Sequence, residues 1–207
     1  MVRLARRSVP PILLAVSGVL LVMSVLEIHE QASVLPTPPP SQITDPLGWE
    51  IAAPVRLRVP RIHIDAPVDP VGRNALGNME VPISEKRAGW YAPGTRPGNP
   101  GNAALSGHLD TAKGTLGVFW RLHELAEGDD VYVDTASGRT LHFRVTANSV
   151  FDWKNAPLPE IFGKSPEHHL QLITCNGVWL KQERSYDKRL VIFTTQVTDD
   201  ETIVKKE

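Results

Sequence analysis

The 207-residue chain carries 22 basic and 23 acidic side chains, a formal net charge of −1, which argues against a nucleic-acid-binding domain with its usual basic excess. Its length suits one domain with a substantial core plus extra segments, and is short for two sizeable domains. A single cysteine excludes an intramolecular disulfide and any cysteine-based metal cluster, and 18 prolines with 15 glycines point to many turns and short strands.

Arg3, Arg6 and Arg7 precede eighteen uncharged residues, Val9 to Leu26. As a helix they span about 27 Å, close to the apolar thickness of a bilayer. A cleaved secretory signal has a shorter apolar region and a small-x-small site, and Glu27-Ile28-His29-Glu30 offers none. The expectation is therefore an uncleaved transmembrane anchor over 9–26, with residues 1–8 cytoplasmic and the rest outside the cell membrane. Residues 27–48 hold Pro36, Pro38, Pro39, Pro40 and Pro46, the composition of a semi-rigid extended spacer.

Globular patterning starts at Trp49 and runs to 199. Val55 to Val59 alternates cleanly, and so do the residues around Ile62-His63-Ile64 and Val68. Met79 to Val81 is a further short strand candidate, Ser84 to Arg87 one helical turn, and Asn102 to His108 a strand ending at Gly107-His108. Gly114 to Leu125 reads as loop plus one short helix. Val131 to Val133 and Thr140 to Val150 form a hairpin around Ser137-Gly138. Pro157 to Phe162 suggests a helical turn. In Leu170 to Cys175, Leu170, Leu172 and Thr174 share one face of a strand and Gln171, Ile173 and Cys175 the other; Asn176-Gly177 reads as the turn that follows. Leu190 to Val197 is the last strand, and 200–207 a polar tail. Seven or eight short strands separated by turns predict a mainly β closed barrel or sandwich with short helices.

Three reactive groups lie at the ends of these apolar runs: His108 after one strand, Cys175 closing another, and Arg189 opening the last. A thiol becomes a good nucleophile on ionisation, which a neighbouring cation favours. A histidine protonates a leaving amine and deprotonates an incoming one, and a guanidinium offers fixed donors to a carbonyl or oxyanion. Together they suit acyl transfer through a thioester. Arg184 is the rival guanidinium. His168-His169 looks like a metal pair but has no further ligands at suitable spacing, so no metal site is expected. Trp90 and Trp179 are candidates for lining a groove.

Leu105-Ser106-Gly107-His108, Leu172-Ile173-Thr174-Cys175 and Asp187-Lys188-Arg189-Leu190-Val191 resemble the His, Cys and Arg signatures of the sortases, membrane-anchored cysteine transpeptidases of Gram-positive-type surfaces. The likeness runs from about Val55 to Val197, includes Gly128-Asp129 and Tyr186, and is greatest to the class F type. One departure is Gln171, where the family pattern Thr-Leu-x-Thr-Cys begins with Thr; it is expected to alter local packing. The resemblance implies an eight-stranded β-barrel, with Cys175 attacking the Thr–Gly bond of a Leu-Pro-x-Thr-Gly-like sorting signal. His108 would be the acid and base, Arg189 would polarise the carbonyl, and Thr174 would contribute to the oxyanion site. It implies secreted proteins with a C-terminal sorting signal and a cell-wall amine acceptor, such as a peptidoglycan precursor, as partners. No cofactor is expected; Asp110, Asp129 and Asp130 read as loop and turn residues, not as a calcium site. Two other classes are an L,D-transpeptidase-like enzyme, whose Ser-x-Gly-Cys surroundings are absent, and a non-catalytic surface-anchored binding module.

Overall fold

Strict alternation drives the sheet to close on itself. In β5 (Asp130–Thr135), Val131, Val133 and Thr135 are buried and the residues between them half-buried, the period-two pattern of a strand with one face on a core. Leu57 and Val59 repeat it in β1 (Pro54–Val59), as do Leu141, Phe143 and Val145 in β6 (Thr140–Asp152). The computed structural model describes residues 51–198. The anchor segment 9–26, the linker 27–48 and the tail 200–207 lie outside the described residues. Among the described residues no helix is long and apolar enough to cross a membrane.

The remaining strands are β2 (Ile64–Val71), β3 (Ala88–Tyr91), β4 (Gly101–Ser106), β7 (His168–Leu180) and β8 (Ser185–Gln196). Around the closed barrel the order is β1, β2, β3, β4, β7, β8, β6, β5. β2–β3 and β4–β7 are parallel pairs and the others antiparallel. Leu57, Leu105, Phe119, Phe143, Leu170, Leu172 and Ile192 fill the interior. On the outside, Arg56 pairs with Asp65 in an exposed ion pair that adds little to stability, and Arg58 with Asp134 in a half-buried one.

β4 is buried along its whole length, as expected of a strand covered on both faces. The short helix α1 (Leu158–Phe162) supplies the outer cover. Beneath it Asn102 Nδ2 donates to the Glu160 carbonyl at 3.0 Å, and Gln171 Nε2 donates to Asn102 Oδ1 at 3.4 Å. Gln171 thus takes part in the packing of α1 onto the β4–β7 pair.

The cysteine strand differs from its sequence reading. β7 does not stop at Thr174; it runs on to Leu180, so Asn176-Gly177 lies inside a strand and not in the turn. Gly177 has φ +87°, and the register with β8 shifts between Asn176 and Trp179. This is a bulge permitted by a residue without a Cβ. Asp187 Oδ1 accepts the Val178 amide at 2.6 Å, satisfying a donor that the broken ladder would leave open. The turn falls instead at Lys181–Arg184, and β8 begins at Ser185, which puts Arg189 within a strand. Met79–Val81 is also not a strand; only Met79 bridges, to Arg73. Ser84–Arg87 is a turn closed by the Arg87 amide on the Ser84 carbonyl.

A Cβ on Gly177 would sit 2.0 Å from Asp187 Oδ1 and would need the left-handed φ. Gly177→Ala is therefore expected to cost about 1–3 kcal/mol, a fall in Tm of at least about 2 °C by calorimetry. An unchanged Tm would mean that the bulge is not fixed by this contact.

Candidate active site

Cys175 and Arg189 are direct cross-strand partners on β7 and β8. Directly opposed residues of an antiparallel pair project to the same face, so the long hairpin places thiol and guanidinium side by side. His108 comes from elsewhere: it lies two residues beyond the end of β4, the strand parallel to β7. Its position is set by Gly107, whose amide donates to the Ile173 carbonyl at 3.1 Å and whose carbonyl accepts Thr174 Oγ1 at 2.8 Å. Beyond His108, the Phe119 amide donates to the His108 carbonyl at 3.0 Å and the Gly117 amide to the Leu109 carbonyl at 2.8 Å. Gly117 approaches so closely that a Cβ there would lie 2.1 Å from the His108 carbonyl oxygen.

Thr174 is therefore located differently from its expected oxyanion role. It is buried, and its hydroxyl proton is committed to Gly107, so it ties the cysteine strand to the histidine segment. Trp90 is likewise core, with its indole donating to the Thr95 carbonyl, whereas Trp179 is exposed beside the thiol. Arg184 is an exposed turn residue. His168 and His169 do not combine: His168 Nδ1 bonds to the Gly98 carbonyl and His169 Nδ1 to Thr195 Oγ1.

Two cavities flank the Cys175–Arg189 pair. The first, of about 640 Å³, is lined by Cys175, His108, Asp110, Trp179, Tyr186 and Ile83 among others. The second, of about 310 Å³, is lined by Arg189, Ile173, Trp153, Leu158, Phe162 and Tyr91 among others. A larger hollow of about 830 Å³ follows the 72–87 connection and is lined by none of Cys175, His108 and Arg189, so size does not locate the chemistry here.

The imidazole of His108 has its Nε2 2.7 Å from the Pro82 carbonyl oxygen. A carbonyl can only accept, so Nε2 carries the proton and Nδ1 is the basic nitrogen of the neutral ring. Arg189 Nη1 donates to the carbonyls of Tyr186 and Lys188 at 3.0 and 2.8 Å, and Nη2 to Ser185 Oγ at 2.9 Å. Its Cζ lies 6.0 Å from the centroid of the Trp153 ring, at the outer reach of a cation–π contact. These bonds leave guanidinium donors over for another acceptor.

Three influences act on the thiol. Burial pushes the Cys175 thiol up from its ordinary value, Arg189 pulls it down, and Asp110 pushes it up again; the sum is upward. Asp110, a loop residue by sequence alone, lines the cavity that holds Cys175. It accepts the Tyr186 hydroxyl at 2.7 Å through Oδ2, and that bond, with burial, raises the Tyr186 phenol to about 12. The Pro82 carbonyl was not legible in the sequence, because a backbone acceptor leaves no residue-type signature. Asp110, two residues after His108, had one available signal, since alternate residues of an extended segment share a side.

A family model described as the sortase domain matches residues 57–197. Among solved structures, the fold is similar to sortase A from Corynebacterium diphtheriae, at 22% identity over 72% of this chain and 63% of that chain, with TM-score 0.55. It is also similar to sortase C-1 from Actinomyces oris, at 23% identity over 70% of this chain and 73% of that one, TM-score 0.54. The pilus-related sortase C of Group B Streptococcus matches at 18% identity over 72% and 69% of the two chains, TM-score 0.55. The chain thus spans less than two thirds of the diphtheria enzyme's length. No curated protein matches in sequence. These structures share the barrel, and with the sortase-domain model covering residues 57–197 of 207, the chain belongs to the sortase family.

Proposed function

We propose that this protein is a cysteine transpeptidase that cleaves a Leu-Pro-x-Thr-Gly-like sorting signal between Thr and Gly and transfers the acyl part to a cell-wall amine. The observation that carries the reading is the convergence of one thiol, one imidazole and one guanidinium from β7, the end of β4 and β8 on a single barrel face. With the thiol raised by burial, His108 first takes its proton. Sγ then attacks the threonyl carbonyl carbon, and Arg189 donates to the oxygen as negative charge develops there. The C–N bond breaks, His108 gives its proton to the departing amine, and a thioester to Cys175 remains. An incoming neutral amine attacks that carbonyl and the C–S bond breaks. The surplus amine proton passes through His108 back to sulfur, restoring the thiol. The steps need no metal or cofactor.

The two cavities divide these tasks. Arg189 lines the cavity with Trp153, Leu158 and Phe162, an apolar groove suited to the acyl half of the signal. His108 lines the other, and the group that hands a proton to the leaving amine has to be beside it. Residues 9–26 as a transmembrane anchor with residues 1–8 cytoplasmic, and 27–48 as a spacer, would hold the barrel outside the cell membrane where secreted proteins bearing sorting signals emerge.

The test mixes full-length protein in detergent with a pool of Leu-Pro-x-Thr-Gly peptides and hydroxylamine, read by mass spectrometry. Cleavage after Thr with a hydroxamate product is expected, abolished by Cys175→Ala and reduced at least about a hundredfold by His108→Ala. Cleavage that survives Cys175→Ala, or the absence of any cleavage by the unmodified protein, overturns the reading.

Arg189→Lys keeps the charge but loses the planar fork. Hydroxamate formation is expected to fall about tenfold or more, since one fixed oxyanion donor is worth about that much or above. Unchanged turnover would remove Arg189 from the reacting carbonyl.

The raised thiol also sets a pH dependence. Iodoacetamide alkylation of Cys175 is expected to climb with pH through the alkaline range, because only the thiolate reacts. Arg189→Ala removes the charge that favours the thiolate and should move the curve to higher pH. A curve already flat from neutral pH would show a resting thiolate instead.

A further inference from the structure

The cavity on the histidine side of the thiol carries a feature that thioester formation does not use and that opposes it. Among the described residues, Asp110 is the only carboxylate lining this cavity, and no lysine or arginine lines it. Its side chain makes one hydrogen bond, from Tyr186, which occupies Oδ2, and it makes no ion pair among the described residues. A negative charge here disfavours ionisation of Cys175, so for the nucleophile alone an uncharged residue would serve better. A local cost at a working site points to a second task.

The surroundings indicate what that task is. Tyr186 and Trp179, cross-strand neighbours on the extended hairpin, pack edge to face with ring centroids 5.4 Å apart at 74°. Both line the same cavity as Asp110. A fixed carboxylate beside aromatic walls is a site for a cation, which gains both charge and ring-quadrupole attraction. Tyr186 holds Asp110 in place, and with its phenol raised to about 12 it remains a neutral donor, adding no charge of its own. His108, which moves the proton to and from nitrogen in the transpeptidase reading, opens on the same space.

We propose that Asp110, held by Tyr186 and flanked by Trp179, binds the ammonium of the amine acceptor beside Cys175 and selects cationic primary amines over uncharged nucleophiles. The inference rests on the transpeptidase reading for the identity of the ligand as acceptor. The carboxylate gathers the ammonium form from solution next to His108. Loss of one proton then leaves a neutral amine already positioned against the thioester. The hairpin extension past the barrel, made by the Gly177 bulge, is what brings Trp179 and Tyr186 to the site.

The experiment reads acceptor binding on the free thiol, so it needs no sorting signal. Full-length protein in detergent is alkylated with iodoacetamide at increasing triglycinamide, with N-acetyl-triglycinamide as the uncharged control. Triglycinamide is expected to slow Cys175 alkylation saturably and the acetylated compound not to. Asp110→Asn retains an acceptor for the Tyr186 hydroxyl while losing the charge. It should weaken protection about tenfold, the loss of one charge-assisted contact, with Asp110→Glu recovering part of it. In the absence of amine, Asp110→Asn should alkylate faster, an effect opposite to that of a damaged site. Equal protection by both compounds, no saturable protection, or protection unchanged in Asp110→Asn overturns the proposal. Hydroxylamine capture by the same preparation reports separately on thioester chemistry, so failure of the acceptor site and failure of the transpeptidase reading give different results.

Discussion

The peptide unit of Gly107 is held from both sides by β7. Its amide reaches the Ile173 carbonyl and its carbonyl receives the Thr174 hydroxyl, and both contacts are to residues immediately before Cys175. Because β4 and β7 run parallel, their connection is long, and nothing local would keep histidine and cysteine in step. The clamp supplies the missing constraint. It converts the register of the β4–β7 pair into a fixed relation between the imidazole and the thiol, whereas the β7–β8 register fixes thiol and guanidinium. Buried on a closed barrel, these bonds have no competing water and no free sheet edge along which to slip.

The electrostatics of the site are a balance. Burial raises the Cys175 thiol, Arg189 works against burial, and Asp110 works with it. A thiol tuned this way reacts slowly with oxidants and electrophiles until a base removes its proton. The imidazole is itself prearranged: the Pro82 carbonyl fixes the proton on Nε2 of His108, as a carboxylate does in nucleophile–histidine systems. Pro82 belongs to the same 72–87 connection that contributes Ile83 to the cavity wall, so the connection both shapes the cavity and orients the histidine.

Much of this was legible in the residues. Alternation located most of the strands, and the resemblance around His108, Cys175 and Arg189 implied the closed barrel that the structure has. The failures have physical causes. Asn176-Gly177 reads as a turn from local chemistry, yet Gly177 serves as a bulge because Asp187, ten residues on, captures the Val178 amide; a non-local partner overrode a local signal. Thr174 looked like a donor near the nucleophile, but its face of the strand is the interior one, as Leu170 and Leu172 already implied, and its hydroxyl is spent on Gly107. Asp110 and Trp179 gain meaning only when the hairpin folds over the end of β4, a tertiary placement that spacing does not encode. Trp90 and Trp179 are alike in composition terms and opposite in burial.

Transpeptidation by this barrel requires that an acyl group pass through Cys175. The most direct measurement is intact-protein mass spectrometry after rapid acid quench of full-length protein mixed with a cleavable sorting-signal peptide and no amine. The expected result is a mass increase equal to the acyl fragment ending in Thr, localised by digestion to the peptide containing Cys175, and discharged when amine is added. Cleavage with no adduct, or an adduct on any other residue, would contradict it.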